Sequence, residues 1–304
     1  MKKGIIKKGI QFYKRYGIRG GIATLTGQGQ IKDKNYAAWY EKNKVSEEKL
    51  AIQRNKEFPY MPLFSILVPV YNTPIPYLWE MLDSVRNQTY QKWQLCIANA
   101  NPENEDVARI LNQYIEMDIR IQVVNVPENL GIAQNTNKAL SIAKGDYIGL
   151  LDHDDMLAAD ALFEVAKTIN DKNADVIYTN EDKITMSGEK HFQPNFKPEY
   201  NLDMLRSNNY ICHFFIAKAS LMKEIGGFRD EYNGAQDYDM IFRCTERADN
   251  IVRIPKVLYH WRMHEQSTAE NPESKRYAFD AGKKVIEDHL KRCEESAEVQ
   301  MTEY

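Results

Sequence analysis

No run of apolar residues approaches the roughly 18 that read as a membrane span. The longest nearly continuous one, 63–71, has the length of a strand. Cysteine is scarce: the thiols at 96, 212, 244 and 293 stand apart with no C-x-x-C pair, which argues against a disulfide framework and suits a reduced, cytosolic chain. The N-terminus Met1-Lys2-Lys3-Gly4-Ile5-Ile6 lacks the long apolar stretch of a secretory signal, so secretion is not expected. Neither sign of charge dominates, with 40 Lys+Arg against 43 Asp+Glu, which removes the global reason to expect nucleic acid as a partner. No G-x-x-x-x-G-K-[ST] occurs, and no glycine follows the first apolar strand. A P-loop is thereby excluded and a dinucleotide-binding dehydrogenase disfavoured, because neither phosphate cradle can form without those glycines.

What remains is 304 residues with 43% apolar content, enough for one large domain or two small ones around a substantial core. Three zones separate by composition: a basic, helical extension over 1–60, a domain over 61–290 and a tail over 291–304. In the extension, Lys2, Lys3, Lys7, Lys8, Lys14, Arg15, Arg19 and Lys32 precede the first acidic residue, Asp33, and alternate with isoleucines and aromatics. Residues 1–21 read either as a contact for an anionic membrane surface or as a solvated tail, with Gly17, Gly20 and Gly21 interrupting any long helix. A second helical stretch is expected over 35–55, with Tyr36, Trp39, Val45 and Leu50 as its apolar contacts.

From residue 63 short β-branched runs alternate with amphipathic segments. Strands are expected over 64–70, 93–98, 120–126, 146–151 and 174–179, and helices over 77–86, 103–114, 129–143 and 281–292. That alternation predicts an α/β fold, a Rossmann-like and largely parallel sheet flanked by helices. Ligands of such sheets sit at the carboxyl ends of the strands, which directs attention to 69–72, 98–101, 127–131 and 152–155.

The fourth strand ends in Asp152-His153-Asp154-Asp155. Negative charge so crowded at the end of a buried strand is costly unless a cation offsets it, and oxygen ligands of this kind suit Mg²⁺ or Mn²⁺. The alternative is an Asp-rich helix cap, with Asp155 or Asp160 capping the next helix. Asp237, within Gln236-Asp237-Tyr238-Asp239, opens a helix as a cap or serves as a general base, with Asp239 as a control if it merely caps or faces solvent. In Tyr259-His260-Trp261-Arg262-Met263-His264 the aromatics suggest a strand, and spacing alone makes His264 a surface histidine.

Taken in order, several segments resemble glycosyltransferase family 2. They are Phe64-Ser65-Ile66-Leu67-Val68-Pro69-Val70-Tyr71-Asn72, Ser84-Val85-Arg86-Asn87-Gln88-Thr89-Tyr90 and Glu128-Asn129-Leu130-Gly131-Ile132-Ala133. The series continues through the run from Gly145 to Asp155, Tyr178-Thr179-Asn180-Glu181-Asp182-Lys183-Ile184, Gly226-Gly227-Phe228, Gln236-Asp237-Tyr238-Asp239 and the run from Tyr259 to Ala269. The likeness covers about 63–290 and is nearest to bacterial polysaccharide enzymes of the rhamnosyltransferase kind.

The resemblance implies a GT-A fold, a nucleotide-diphosphate sugar donor (UDP- or dTDP-sugar), a divalent cation, Mn²⁺ or Mg²⁺, and inversion at the anomeric carbon. By the same carry-over Pro69, Val70 and Tyr71 line the base, and Asp152 and Asp154 match the D-x-D that meets ribose and metal. Asp155 matches an adjacent metal-binding acid, His264 a histidine near the diphosphate and metal, and Asp237 the catalytic base. His213 falls on the acceptor side, where Glu181 and Asp182 stand next in line as alternative bases. Two positions depart from the family. Asn99 and Ala100 replace paired acids that read the base, leaving Asn99 to bond it as an amide, and Gln236 replaces the acid before Asp237. The acceptor implied is a glycan or a lipid-linked sugar, and the expected location is cytoplasmic, peripheral at the inner face of the membrane. A catalytically weak nucleotide-sugar-binding module of a larger assembly complex is the competing reading. A nucleotidyltransferase would need a Gly-rich basic loop after the first strand, and that loop is absent.

Overall fold

A computed structural model describes residues 28–263 and 276–302. The basic segment 1–21 and His264 lie outside the described residues. Two helices open the described chain, α1 (Gln28–Asn43) and α2 (Glu47–Arg54). The single helix expected over 35–55 is split at Ser46, whose side chain caps α2 by accepting from the Lys49 N–H, with Glu47 and Glu48 favourably placed in the first turn.

The sheet then builds through β1 (Phe64–Val70), α3 (Ile75–Arg86), β2 (Trp93–Asn99), α4 (Glu105–Met117), β3 (Ile121–Asn125), α5 (Ile132–Ser141) and β4 (Tyr147–Leu150). After a two-residue β5 (Met156–Leu157) come α6 (Ala161–Lys172), β6 (Val176–Ile184), β7 (His191–Asn195), α7 (Leu202–Ser207) and β8 (Phe215–Lys218). Short α8 (Ala219–Glu224), a 3₁₀ turn (Asp230–Tyr232), α9 (Gln236–Thr245), β9 (Ile251–Arg262) and α10 (Arg276–Arg292) complete the described elements.

Strand order is β3-β2-β1-β4-β8-β6-β9-β5, with β7 added along β6. The first four are parallel as expected, because each is joined to the next by a helical crossover. The far half is mixed: β8 runs antiparallel to β4 and β6, while β9 is parallel to β6. The expectation of a largely parallel sheet thus holds for one half. Alternation along β1 sends Phe64, Ile66, Val68 and Val70 into one core and Leu67 into the other.

Two glycines set the strand-end geometry. Gly131 has φ +86 and delays α5 to Ile132, so the helix begins later than the expected 129. Gly145 lies so close to β1 that a Cβ would meet the Ser65 nitrogen at 2.6 Å. Among the described residues no helix is long and apolar enough to cross a membrane.

Candidate active site

The parallel register ends Val70 beside Asn99 and Asn99 beside Asn125, so the loops after these strands open on one edge. There a cleft of 2210 Å³ is lined by Tyr71 and Asn72 after β1, Asp152, His153 and Asp154 after β4, and Asp237 from α9. Of the residues expected around the nucleotide, Tyr71, Asp152 and Asp154 line this cleft. Val70 is fully buried, and its carbonyl accepts from the Ala100 N–H at 2.9 Å. Pro69 lies within the same strand, paired with Ala98. Asn99 is also buried: Oδ1 accepts from the Asn101 N–H at 3.2 Å, and Nδ2 donates to Asn125 at 3.4 Å. Pro69, Val70 and Asn99 therefore shape the loops at the cleft edge and are absent from its lining.

The acidic loop is held from behind by β9. The Tyr259 hydroxyl donates to Asp155 Oδ2 at 2.6 Å and accepts from the Asp152 N–H at 3.3 Å. The Arg262 N–H donates to Asp155 Oδ1 at 2.7 Å, and its Nε donates to the Asp154 carbonyl at 2.8 Å. The buried Arg262 guanidinium also pairs with Glu80 and bonds the Met186 carbonyl. Thr73 and His153 share a 2.9 Å hydrogen bond that ties the loop after β1 to the loop after β4.

Burial pushes the Asp155 carboxyl well above the usual carboxylate range, and the charges of Asp154 and Asp152 push it further. Asp152 is also raised by burial, with His213 opposing and Asp154 adding to the rise. Burial and the mutual repulsion of these carboxyls are what a bound cation would offset. The ligating atoms of Asp152, Asp155 and His213 lie within 4.8 Å of one another. Two carboxylates and an imidazole suit a Mn²⁺ or Mg²⁺ ion by donor chemistry; of the residues expected at the metal, Asp155 is in this group, Asp154 is not, and Asp152 joins it together with His213, which the resemblance had put on the acceptor side.

His213 stacks on Tyr259 with centroids 4.6 Å apart. Its segment turns at Cys212, φ +36, and is pinned by the buried Lys197 ammonium, which donates to the Ile211 carbonyl at 2.6 Å and to the His213 carbonyl. Glu181 is the counter-ion of Lys197 at 2.9 Å. It belongs beneath the cleft, and neither it nor Asp182 is in the lining. Asp182 is bonded instead to His191, His260 and Tyr36, so both members of this acidic pair, expected on the acceptor side, are held by partners away from the cleft lining.

Asp237 occupies the first turn of α9, where the helix dipole favours negative charge, and its Oδ2 accepts from Asn209 Nδ2 at 2.9 Å. Asp239 is fully buried and paired with Arg229 and Arg243, so it neither caps nor faces solvent and cannot serve as a neutral control. Tyr259, Arg262 and Asn209 have no individual mark in the sequence. The only signal for the first two is that their short run of aromatic and basic residues reads as a strand.

The Glycosyl transferase family 2 model matches residues 65–226. The chain is 40% identical to the uncharacterized protein y4gI of Sinorhizobium fredii over 92% of its own length and 31% of that protein. It is 31% identical to the O-antigen biosynthesis protein RfbC of Myxococcus xanthus, over 87% of this chain and 21% of that one. A chondroitin synthase of Pasteurella multocida is 30% identical over 69% of this chain and 21% of its own. The chain thus spans about a third or less of these relatives. In fold it is similar to S. aureus TarS 1–349 in complex with UDP-GlcNAc, with TM-score 0.62, 20% identity and coverage of 75% and 66%. A mannosyltransferase of Pyrobaculum calidifontis in complex with GDP-Man and Mn²⁺ matches with TM-score 0.55, 17% identity and coverage of 91% and 76%.

Proposed function

Because the chain belongs to glycosyl transferase family 2, we propose that it moves a hexosyl or rhamnosyl group, with inversion, from a UDP- or dTDP-sugar to a hydroxyl. The acceptor is a glycan or a lipid-linked sugar of a bacterial surface polysaccharide, such as O-antigen or capsule. Residues 61–290 form the transferase unit, and it works in the cytoplasm, peripheral to the inner membrane face. The observation that carries this reading is that Asp152, His153 and Asp154, after β4, and Asp237, from α9, line one cleft.

Asp152, Asp154, Asp155 and His213 are the residues that would hold Mn²⁺ or Mg²⁺, with His264 a further candidate. When bound, such an ion offsets the charge that builds on the leaving diphosphate. Tyr71 offers an aromatic face at the donor end of the cleft. Asn209 fixes the Asp237 carboxylate through one oxygen, so that it is oriented when the acceptor hydroxyl arrives. The acceptor oxygen then bonds to the anomeric carbon as the sugar–phosphate bond breaks, and the nucleoside diphosphate leaves with that electron pair. Asp237 takes the hydroxyl proton. Attack opposite the leaving group inverts the anomeric centre.

The test is thermal stabilisation by a panel of nucleotide sugars with Mn²⁺, since a bound donor raises stability by mass action. One or a few donors should raise Tm and then be consumed on addition of acceptor. A panel with no stabilising member would remove the reading.

A further inference from the structure

Lys197 follows β7, and its side chain is fully buried. Two of its ammonium N–H groups go to the carbonyls on either side of Cys212, that of Ile211 at 2.6 Å and that of His213. The third goes to Glu181 Oε2 at 2.9 Å, so every donor of the ammonium is used. Glu181 Oε1 accepts from Asn195 Nδ2 at 3.2 Å, and the Lys197 main-chain N–H donates to Asn180 Oδ1 at 2.9 Å. The anchor is thereby tied to β6 and β7, and neither Lys197 nor Glu181 lines the cleft.

The stretch that it holds does reach the cleft, where Asn209, Cys212 and His213 are all in the lining. At one end Asn209 Nδ2 donates to Asp237 Oδ2 at 2.9 Å, and the Cys212 thiol lies 3.9 Å from the same oxygen. Asn209 is tied back to the stretch, its Oδ1 accepting from the Cys212 N–H at 3.3 Å. At the other end the His213 imidazole stacks on Tyr259 and offers its nitrogen within 4.8 Å of carboxylate oxygens of Asp152 and Asp155. Residues 209–213 thus carry a partner of the proposed base and an imidazole of the proposed ion site. Between them Cys212 has φ +36, a conformation that a residue with a side chain keeps only when its surroundings impose it. Stability alone does not account for the lysine, because apolar residues of similar volume often replace a buried ion pair without loss. Its two carbonyl contacts are what an apolar residue would not supply.

We propose that Lys197 is a positioning residue for the transfer reaction. By gripping the carbonyls of Ile211 and His213 it sets the imidazole against Asp152 and Asp155 and sets Asn209 against Asp237, so that base and ion keep one separation. This deepens the transferase reading above and rests on it.

The test is calorimetric titration of the full chain with UDP and dTDP, in Mn²⁺ and in chelator, beside a melting curve. Lys197→Met alone would leave Glu181 buried without its cation, so the informative variant pairs it with Glu181→Gln. That double variant should lose about tenfold or more of the Mn²⁺-dependent affinity while binding nucleotide in chelator as the parent does. Glu181→Gln by itself keeps the lysine on both carbonyls and should keep the Mn²⁺ effect. On a His213→Ala background the double change should cost no further Mn²⁺-dependent affinity, because it acts through that imidazole. Parent-like Mn²⁺ dependence in the double variant would overturn the role of Lys197, as would an equal loss in chelator or an equal loss from Glu181→Gln alone. In each of these cases the parent still binds nucleotide with Mn²⁺, and the transferase reading stands. A parent that binds neither UDP nor dTDP would remove that reading and the role of Lys197 with it.

Discussion

The Arg262 N–H donates to Oδ1 of Asp155 at 2.7 Å, although the two residues are 107 apart in sequence. With the Tyr259 hydroxyl on Oδ2, strand β9 grips both oxygens of a carboxyl buried behind the cleft. Removing one donor from such a buried group leaves an oxygen without its partner, at a cost of about 1–3 kcal/mol. Tyr259→Phe should therefore lower Tm and weaken Mn²⁺-dependent binding of UDP or dTDP. Titration calorimetry beside a melting curve checks both, and parent values in both would remove Tyr259 as a support of the acidic loop.

A second expectation concerns the ion. UDP or dTDP should bind more tightly with Mn²⁺ than with chelator, and Asp155→Asn should abolish most of that difference. The asparagine is the better probe because Asp155 is buried between two donors. An alanine would leave the Arg262 N–H unpaired, whereas the amide oxygen still accepts it and the Tyr259 hydroxyl can turn to accept from the amide. Equal nucleotide binding with and without metal would sink the assignment.

The parallel half of the sheet was legible because its strands are apolar runs closed by Pro, Asn or Asp. The far half was less so. Strand β6 reads as ending at Thr179, since Asn180, Glu181 and Asp182 look like loop, yet it continues to Ile184 with all three buried. Their partners are Lys197, Tyr36, His191 and His260, and no local pattern announces an ion pair closed by the fold. That is also why Glu181 and Asp182 resembled acceptor-site acids. The Asp152–Asp155 loop was legible by its position after a strand. Its clamp was not, because Tyr259 and Arg262 reach it only through a β-strand from the far end of the chain.

The contact between Glu246, at the end of α9, and His289 and Arg292 of α10 should loosen in acid. Burial would raise the Glu246 carboxyl, but hydrogen bonds from His289 and Arg292 win and hold it down at about 2. A carboxylate depressed on folding contributes stability that is fully present above its unfolded value near 4.5 and is lost as pH falls towards 2. The shift corresponds to roughly 3 kcal/mol at most. Glu246→Gln should accordingly lower Tm at pH 7 and flatten the fall in Tm between pH 4.5 and 2.5. Parallel parent and variant curves across that window would contradict the linkage.

The carboxylate of Asp237 is the proposed base, and its position separates a transferase from a module that only binds donor. A base acts on the acceptor hydroxyl, so its loss should affect turnover far more than nucleotide affinity. Asp237→Asn keeps size and should cost about 10²–10⁴-fold in transfer. Asn209 bonds Oδ2 of this residue, and Asn209→Ala should cost less, since it frees the carboxylate without removing it. Asp239 would mislead as a control: it is buried against Arg229 and Arg243, and breaking such a pair typically costs about 3–5 kcal/mol. Asp230, exposed on the 3₁₀ turn, is the proper one, and Asp230→Asn should transfer at the parent rate. The assay pairs sugar transfer with calorimetric titration of the donor nucleotide in Mn²⁺. Transfer by Asp237→Asn at the parent rate would place the base elsewhere. Glu181 and Asp182 would not inherit the role, because both are already committed to buried cations or histidines.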